Sequence, residues 1–439
     1  MLKLFRQRNF SLLWVGQFIS VIGDWVLFIA LPFYTYSLTG SVLATGAMFI
    51  VSTLPRLVLG SVAGVFVDRW DRKRTMIMAD LLRVFVVALL LFVHSRDGLW
   101  LIYVSAFLES VVSQFFNPAK SAIIPLLVGE NDLLAANSLN GLSDALTRLV
   151  GSALGGVLMG WLGFSSVVLL DAGSFLFSAL MIALILIPAR PGFSGVPTEA
   201  GPAAPPNPVA SEAGGAKGIL GVWREWVAGL RLVRQERLLL MLFIVLAVAF
   251  LGDSMSTVLV VPLVKVLMGR GAQFFGWLMA AQGIGGILGG LLVGGIGKRF
   301  PPRRLSALGL VVIGIDLFAI ISVPHSMLVL PLMSAAGLAA AAWLISSETL
   351  LQMGTSDQFR GRIFGTLGTT SALASLVGML LAGALTDWLG LISILCISGG
   401  LYILSGVLAW IILPRTREVQ LDHSSPPGND LSTKPIPVN

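Results

Sequence analysis

Along this chain the apolar residues fall into long, nearly uninterrupted runs, unlike the period-two alternation of a strand or the one-sided stripe of a soluble helix. A helix needs roughly 20 apolar residues to cross a hydrocarbon layer about 30 Å thick. Twelve runs meet that length: 10 to 35, 41 to 67, 75 to 95, 98 to 118, 138 to 162, 165 to 187, 239 to 264, 273 to 296, 304 to 323, 327 to 350, 363 to 386 and 391 to 413. Short polar links separate most of them. The link from Pro188 to Leu238 is different: "PARPGFSGVPTEAGPAAPPNPVASEAGGAKG" is a Pro/Ala/Gly-rich tract with little to pack, and "WREWVAGLRLVRQER" reads as an amphipathic interfacial helix. The pattern therefore predicts an all-α integral membrane protein with twelve transmembrane helices in two six-helix bundles. Its divisions are an N-terminal bundle (1–188), a cytoplasmic linker (189–238), a C-terminal bundle (239–414) and a disordered cytoplasmic tail (415–439).

Composition agrees with the pattern. Of 439 residues 56% are hydrophobic and only 12% charged, against about a quarter charged in a water-soluble globule. The net charge of +7 raises the question of nucleic acid, and the placement of the bases answers it. With both termini taken as cytoplasmic, 23 of the 29 Lys and Arg fall in cytoplasmic links or ends; Arg96, Lys265 and Arg270 fall in opposite links, and Arg56, Arg83 and Arg148 within spans. This is the positive-inside asymmetry of a multi-pass protein of the cell membrane, and it removes nucleic acid as a partner. Lys3, Arg6 and Arg8 precede the first apolar run as in a secretory signal, but no small-residue cleavage site follows, so the run is expected to remain as a span. Cys396 is alone and His94, His325 and His423 are scattered, which leaves metal and redox chemistry without support. No GxxxxGK[ST] phosphate loop occurs, so the chain is not expected to hydrolyse ATP, and no cofactor is expected.

The two halves repeat one another. At a shift of 230, Pro32 matches Pro262, Gly46 matches Gly276, Gly60 matches Gly290, Gly64 matches Gly294, Arg69 matches Arg299, and Lys73-Arg74 match Arg303-Arg304. At slightly smaller shifts Gly23-Asp24 recurs as Gly252-Asp253 and "WLG" at 161 to 163 recurs at 388 to 390. Duplicated six-helix halves are an architecture of secondary transporters, in which substrate sits near the midplane between repeats that rock. The charged stretch "GVFVDRWDRKRTM" between the second and third spans then has a mechanical role. Arg69, Arg72, Lys73 and Arg74 anchor the hairpin on one side, and Asp68 pairs with bases or a helix N-terminus in the closed state.

At these residues the chain resembles the major facilitator superfamily. The signature between spans two and three appears as Gly64, Asp68, Arg69, Trp70, Asp71, Arg72 and Lys73, with Asp71 where a second glycine is usual. With Gly60 these residues form the expected gating motif. Together with "FRQRNFSLLWVGQFISVIGDW", "SLTGS", "NPAKSAIIP" and "FRGRIFG", they make the membrane portion similar to the branch containing macrolide efflux proteins and the enterobactin exporter. The resemblance implies alternating access and export of amphipathic small molecules, macrolide-like drugs or siderophores, driven by a proton gradient. Two positions depart from the drug-antiporter pattern. Ser152 in "GSALGG" stands where proline is expected, and span four offers Glu109 but no arginine. An uncoupled permease, an importer and a lipid flippase therefore stay open, with an ion channel as a further reading.

Charges inside the bilayer are costly and ask for a partner, a wet cavity or a function. Asp24, Arg56, Glu109, Asp253 and Asp316 are the candidates for the substrate and proton pathway. An acid that exchanges its proton only when wetted from one side couples proton flow to rocking; the alternative for each is a permanent structural contact. Asp80 with Arg83, and Asp144 with Arg148, are spaced to pair along one helix face. Asp171, Glu348 and Asp387 read as span-end residues. Gly151, Gly155 and Gly156, and Gly286, Gly290 and Gly294, supply small-residue faces for close helix packing or sliding. The partners expected are a small-molecule substrate and the lipid bilayer, with the chain acting as a monomer.

Overall fold

The computed structural model describes residues 4–67, 69–129, 132–186, 219–296, 300–325, 327–355 and 359–413. The proline-rich part of the linker, the tail and Asp68 lie outside these residues. Six helices precede the linker: α1 (Arg8–Thr39), α2 (Val42–Val67), α3 (Arg72–Ala88), α4 (Leu99–Leu127), α5 (133–162) and α6 (164–183). Then come α7 (Ile219–Gln235) and six more: α8 (Arg237–Pro262), α9 (Ala272–Ile296), α10 (Pro302–Ser322), α11 (Val329–Met353), α12 (Arg360–Leu389) and α13 (Leu391–Ile412). Among the described residues eleven helical runs are long and apolar enough to cross a membrane. One of them, Leu133–Ala183, has 51 residues. At 1.5 Å per residue a straight helix of that length would reach about 75 Å, more than twice the hydrocarbon thickness. It is broken at Gly163, where φ 78 and ψ 177 are open essentially to glycine alone, so α5 and α6 are separate crossings and the described residues supply twelve.

The repeat is visible in the backbone. All positive-φ residues among the described ones are glycines, and they form two repeat-related pairs: Gly40 and Gly269, both at φ 64, and Gly163 and Gly390, at φ 78 and 80. Each pair turns the chain at the face opposite the termini, hereafter the far face. At the terminal face the matched bases make matched staples. Lys73 Nζ donates to the carbonyls of Ala183 and Ile185 at 2.8 Å each, tying α3 to the end of α6. Arg303 Nη2 donates to the carbonyl of Trp410, tying α10 to the end of α13.

Close packing follows the same symmetry. A Cβ on Gly151 or Gly155 of α5 would meet Trp25, Ile22 and Val26 of α1, and one on Gly16 or Gly23 would meet Met181, Ser174 and Asp171 of α6, so α1 lies between α5 and α6. In the second half α8 is held between α12 and α13, with Gly378 against Ser254 and Leu251 and Gly252 against Ser398 and Leu401. Across the halves, Gly156 of α5 crosses Gly276 of α9, and Gly46 of α2 meets Gly383 and Met379 of α12. All four of these glycines lie toward the far face, where they let the two halves touch backbone to backbone. Toward the terminal face, a Cβ on Gly141, Gly290, Gly294, Gly361 or Gly365 would meet nothing within 4 Å. On α9 the tight face is Gly285 and Gly289 against α11, with Gly286 close to Gly337, while Gly290 and Gly294 face open space. The hydrophobic runs specify one helix per crossing but not which stripe of glycines a neighbour will use, which explains the difference.

Candidate transport pathway

Two cavities occupy the half of the bundle nearer the far face. The central one, about 290 Å³, lies between the halves and draws on α1, α2, α5, α8 to α11 and α13. Its walls are mostly apolar, with Trp25, Phe28, Phe275 and Met333 among them, and its polar residues are Arg148, Ser152, Asp253, Ser256, Thr257, Gln282, Asp316 and Tyr402. The Tyr402 hydroxyl donates to Asp253 Oδ1 at 2.7 Å. The Arg148 guanidinium lies over the Trp25 ring, 5.3 Å from its centroid. Asp316 is buried and its Oδ2 has no hydrogen-bond partner. A second cavity, about 300 Å³, lies inside the first half and carries Asp24, Glu109 and Asp171, with the hydroxyls of Ser52 and Ser105, on walls that are mostly apolar, Leu27, Met48, Val87 and Leu90 among them. Trp25, Phe28, Pro32 and Phe49 line both cavities and form the partition between them.

Behind the second cavity one cation organises several acids. Arg83 Nη1 lies 3.6 Å from Asp80 Oδ1 and its Nε 3.9 Å from Glu109 Oε1. Its Nη2 donates to Ser113 Oγ at 2.6 Å, and Ser113 Oγ donates in turn to Glu109 Oε1 at 3.0 Å. The guanidinium is held between Phe116 at 4.7 Å and Phe175 at 5.2 Å. Flat aromatic faces on a desolvated cation keep it in place without adding negative charge.

The acids singled out in the sequence are thus sorted into two pairs: Asp24 with Glu109 in the first half, and Asp253 with Asp316 between the halves. Arg56 is exposed on α2 and lines neither cavity. Three residues have a place that the sequence did not reveal. Asp171 is buried in the second cavity and away from any span end: it lies eight residues past the Gly163 break, a depth of about 12 Å. Counting from "WLG" would have found it. Arg148 turns to Trp25 and the central cavity, while Asp144 lines a small void with Lys120. Lys120 itself falls within α4, which runs past Asn117-Pro118 to Leu127, and not in a link.

In the gating motif, Gly60 and Gly64 lie in the last turns of α2, Arg69 and Trp70 are exposed in the turn that follows, and Asp68 is outside the described residues. Asp71 caps α3: its Oδ1 accepts the Arg74 backbone N–H at 2.7 Å, a task that a side chain can do and the usual glycine cannot. Arg72 Nη1 donates to the Ala122 carbonyl at 3.0 Å. With Lys73 on α6, the bases Arg72 and Lys73 bind helices of their own half.

Twelve apolar crossings in two matched halves around a cavity with few polar groups define a multi-pass membrane transporter of small molecules, not an enzyme. The Major Facilitator Superfamily profile matches residues 13–271 and 242–436, and the chain belongs to that family. It is 28% identical over 425 residues to the uncharacterized MFS-type transporter YfiS of Bacillus subtilis, covering 93% of this chain and 94% of the other. It is 24% identical over 409 residues to macrolide efflux protein A of Streptococcus pyogenes (92% and 96%), and 28% over 416 residues to the multidrug efflux pump Tap of Mycolicibacterium fortuitum (91% and 94%). Among solved structures, a bacterial homologue of the iron transporter ferroportin in an inward-facing state superposes with a TM-score of 0.71 at 15% identity, covering 94% of this chain and all of that one.

Proposed function

We propose that the protein is a proton-coupled exporter of amphipathic small molecules that works by alternating access, as a monomer, with both termini in the cytoplasm. The observation that carries this reading is the pairing of acid-lined cavities with a one-sided seal: glycine crossings close the halves at the far face, while a Cβ on Gly141, Gly290, Gly294, Gly361 or Gly365, nearer the termini, would meet nothing within 4 Å. With the basic links in the cytoplasm, this arrangement is an inward-facing state, ready to load substrate from the cell. Rocking would part Gly156 from Gly276 and Gly46 from Gly383 and close the terminal face, where Arg69 of the motif is exposed. Asp24, Glu109, Asp253 and Asp316 then act as the proton-exchanging groups, because a carboxylate in low-dielectric surroundings changes its proton affinity when water reaches it. The efflux relatives support the direction, and the amphipathic lining of the central cavity supports the substrate class.

Efflux from a pump-deleted host, measured with macrolides, other amphipathic drugs and siderophores with and without a protonophore, tests the reading. Protonophore-sensitive export is expected, with Asp24→Asn and Glu109→Gln each reducing it at normal expression. Export indifferent to the protonophore, or wild-type rates in both variants, would refute proton coupling through these acids. Accumulation in place of efflux would reverse the direction.

A further inference from the structure

The two halves treat their matched acids differently. In the second half Asp253 receives the Tyr402 hydroxyl, and Ser398 Oγ donates to the neighbouring Gly252 carbonyl at 2.8 Å. At the repeat shift set by "WLG", Tyr402 corresponds to Phe175 and Ser398 to Asp171. The first half has therefore exchanged a donor for a ring that cannot donate, and a hydroxyl for a second acid. Asp171 is 1% exposed, lines the 300 Å³ cavity, and neither of its carboxylate oxygens has a hydrogen-bond partner. Asp24 forms no ion pair within 4.0 Å among the described residues.

The charges facing this cluster are Asp24 on α1, Asp80 and Arg83 on α3, Glu109 on α4 and Asp171 on α6, with Lys120 further along α4 beside Asp144. Arg83 is committed to Asp80, Glu109, Ser113 and two rings. That leaves two carboxyl groups, Asp24 and Asp171, on a mostly apolar wall that also carries Ser52 and Ser105, with no cation of the described residues within ion-pair distance. A buried charge without a partner is among the most unfavourable arrangements a fold can hold, and pockets of about 300–1,000 Å³ with apolar walls and few polar groups are the usual form of a small-molecule site. Among the described residues no three His, Cys, Asp or Glu are placed to hold a metal ion. The cavity therefore suits an organic cation, whose charge the two carboxyl groups can meet on ionising, and not a divalent metal.

We propose that the cavity inside the first half, walled by Leu27, Met48, Val87 and Leu90 and charged by Asp24 and Asp171, is a binding site for lipophilic monovalent organic cations, separate from the central cavity. The aromatic partition of Trp25, Phe28 and Phe49 offers π faces to the same cation, and its movement would pass the ligand between the two cavities. This names a substrate class for the exporter proposed above and rests on that reading only for the direction of transport.

The test is equilibrium binding to the purified full chain in lipid nanodiscs, with no gradient imposed. The probe is the fluorescent 4-(4-dimethylaminostyryl)-N-methylpyridinium cation, compared with its uncharged parent, 4-(4-dimethylaminostyryl)pyridine. The wild type is expected to bind the cation at least about tenfold more tightly than the neutral compound. Asp171→Asn, which keeps the shape, is expected to weaken the cation by about tenfold or more and to leave the neutral compound within about twofold. Ala106→Leu, which narrows the cavity without touching a charge, is expected to weaken both. Equal affinity for the two compounds, or an unchanged cation affinity in Asp171→Asn, overturns the proposal; if Ala106→Leu does not fold, Asp171→Asn decides alone. Because no transport is read, binding without protonophore-sensitive efflux condemns the exporter reading, whereas efflux without cation binding condemns this site.

Discussion

The crossing of Gly156 and Gly276 offers the sharpest mechanical test. A Cβ placed on Gly156 would lie 2.6 Å from Gly276 Cα and 2.7 Å from the Ala272 carbonyl oxygen, and one on Gly276 would lie 2.7 Å from Gly156 Cα and 2.9 Å from the Ser152 carbonyl oxygen. The obstructing atoms are backbone on both sides, so no side-chain rotation relieves the clash and the helices must separate by most of an ångström. Overpacking of this kind costs about 1–3 kcal/mol. The cost falls only on the state in which the far face is closed, and about 1.4 kcal/mol is a tenfold change in a two-state ratio. Gly156→Ala and Gly276→Ala should therefore each shift the ratio of far-closed to far-open protein by about fivefold or more. The matched crossing predicts a graded effect. Gly46→Ala would meet the Met379 carbonyl oxygen at 3.3 Å, a smaller intrusion, and should shift the ratio by several-fold at most. Spin labels at Trp161→Cys and Gly271→Cys, in a background where the chain's single cysteine is removed as Cys396→Ala, would report the α5 to α9 separation by electron–electron resonance. Distance distributions identical to the parent in both Gly156→Ala and Gly276→Ala, or a Gly46→Ala shift as large as theirs, would refute the argument that this glycine pair seals the far face.

Other consequences follow from single contacts. Tyr402→Phe removes the donor to Asp253 and should lower stability by about 1–3 kcal/mol, read as a fall in the thermal midpoint; an unchanged midpoint would mean that Asp253 finds another donor. Gly163→Ala and Gly390→Ala force a side chain into φ near +80 and should each cost about 1–3 kcal/mol, while Gly173→Ala, whose Cβ meets nothing within 4 Å, should be tolerated; equal yields of folded protein for all three would contradict the turn assignment. Lys265 Nζ donates to Ser37 Oγ at 2.7 Å and lies 5.4 Å from the Phe33 ring centroid, joining α1 to the π-helical turn Leu263–Leu267 after α8 at the far face. Lys265→Met should weaken that seal by roughly 0.5–1 kcal/mol, moving the same spin-label distances in the same direction as Gly156→Ala but less; movement the opposite way would show that Lys265 opposes closure.

The sequence alone determined the number of crossings, the doubling of the chain and the family, because each rests on one-dimensional information: run length against bilayer thickness, and glycines or charges recurring at one shift. Depth was legible for Asp24 and Glu109 for the same reason, since 1.5 Å per residue converts position in a run into height in the membrane. The Asp80 and Arg83 pair was legible from its three-residue spacing. What the sequence did not determine was azimuth. Nothing along the chain shows that Arg83 also reaches Glu109, that Arg148 turns from Asp144 to Trp25, or that Asp171 faces the cavity of Asp24. Those neighbours lie on other helices, and which sides of the helices meet depends on where backbones approach, at Gly23 against α6, Gly151 against α1 and Gly156 against Gly276. In a uniformly apolar helix no polar stripe marks the buried side, so only the assembled bundle decides which charges share a cavity and which remain unmatched.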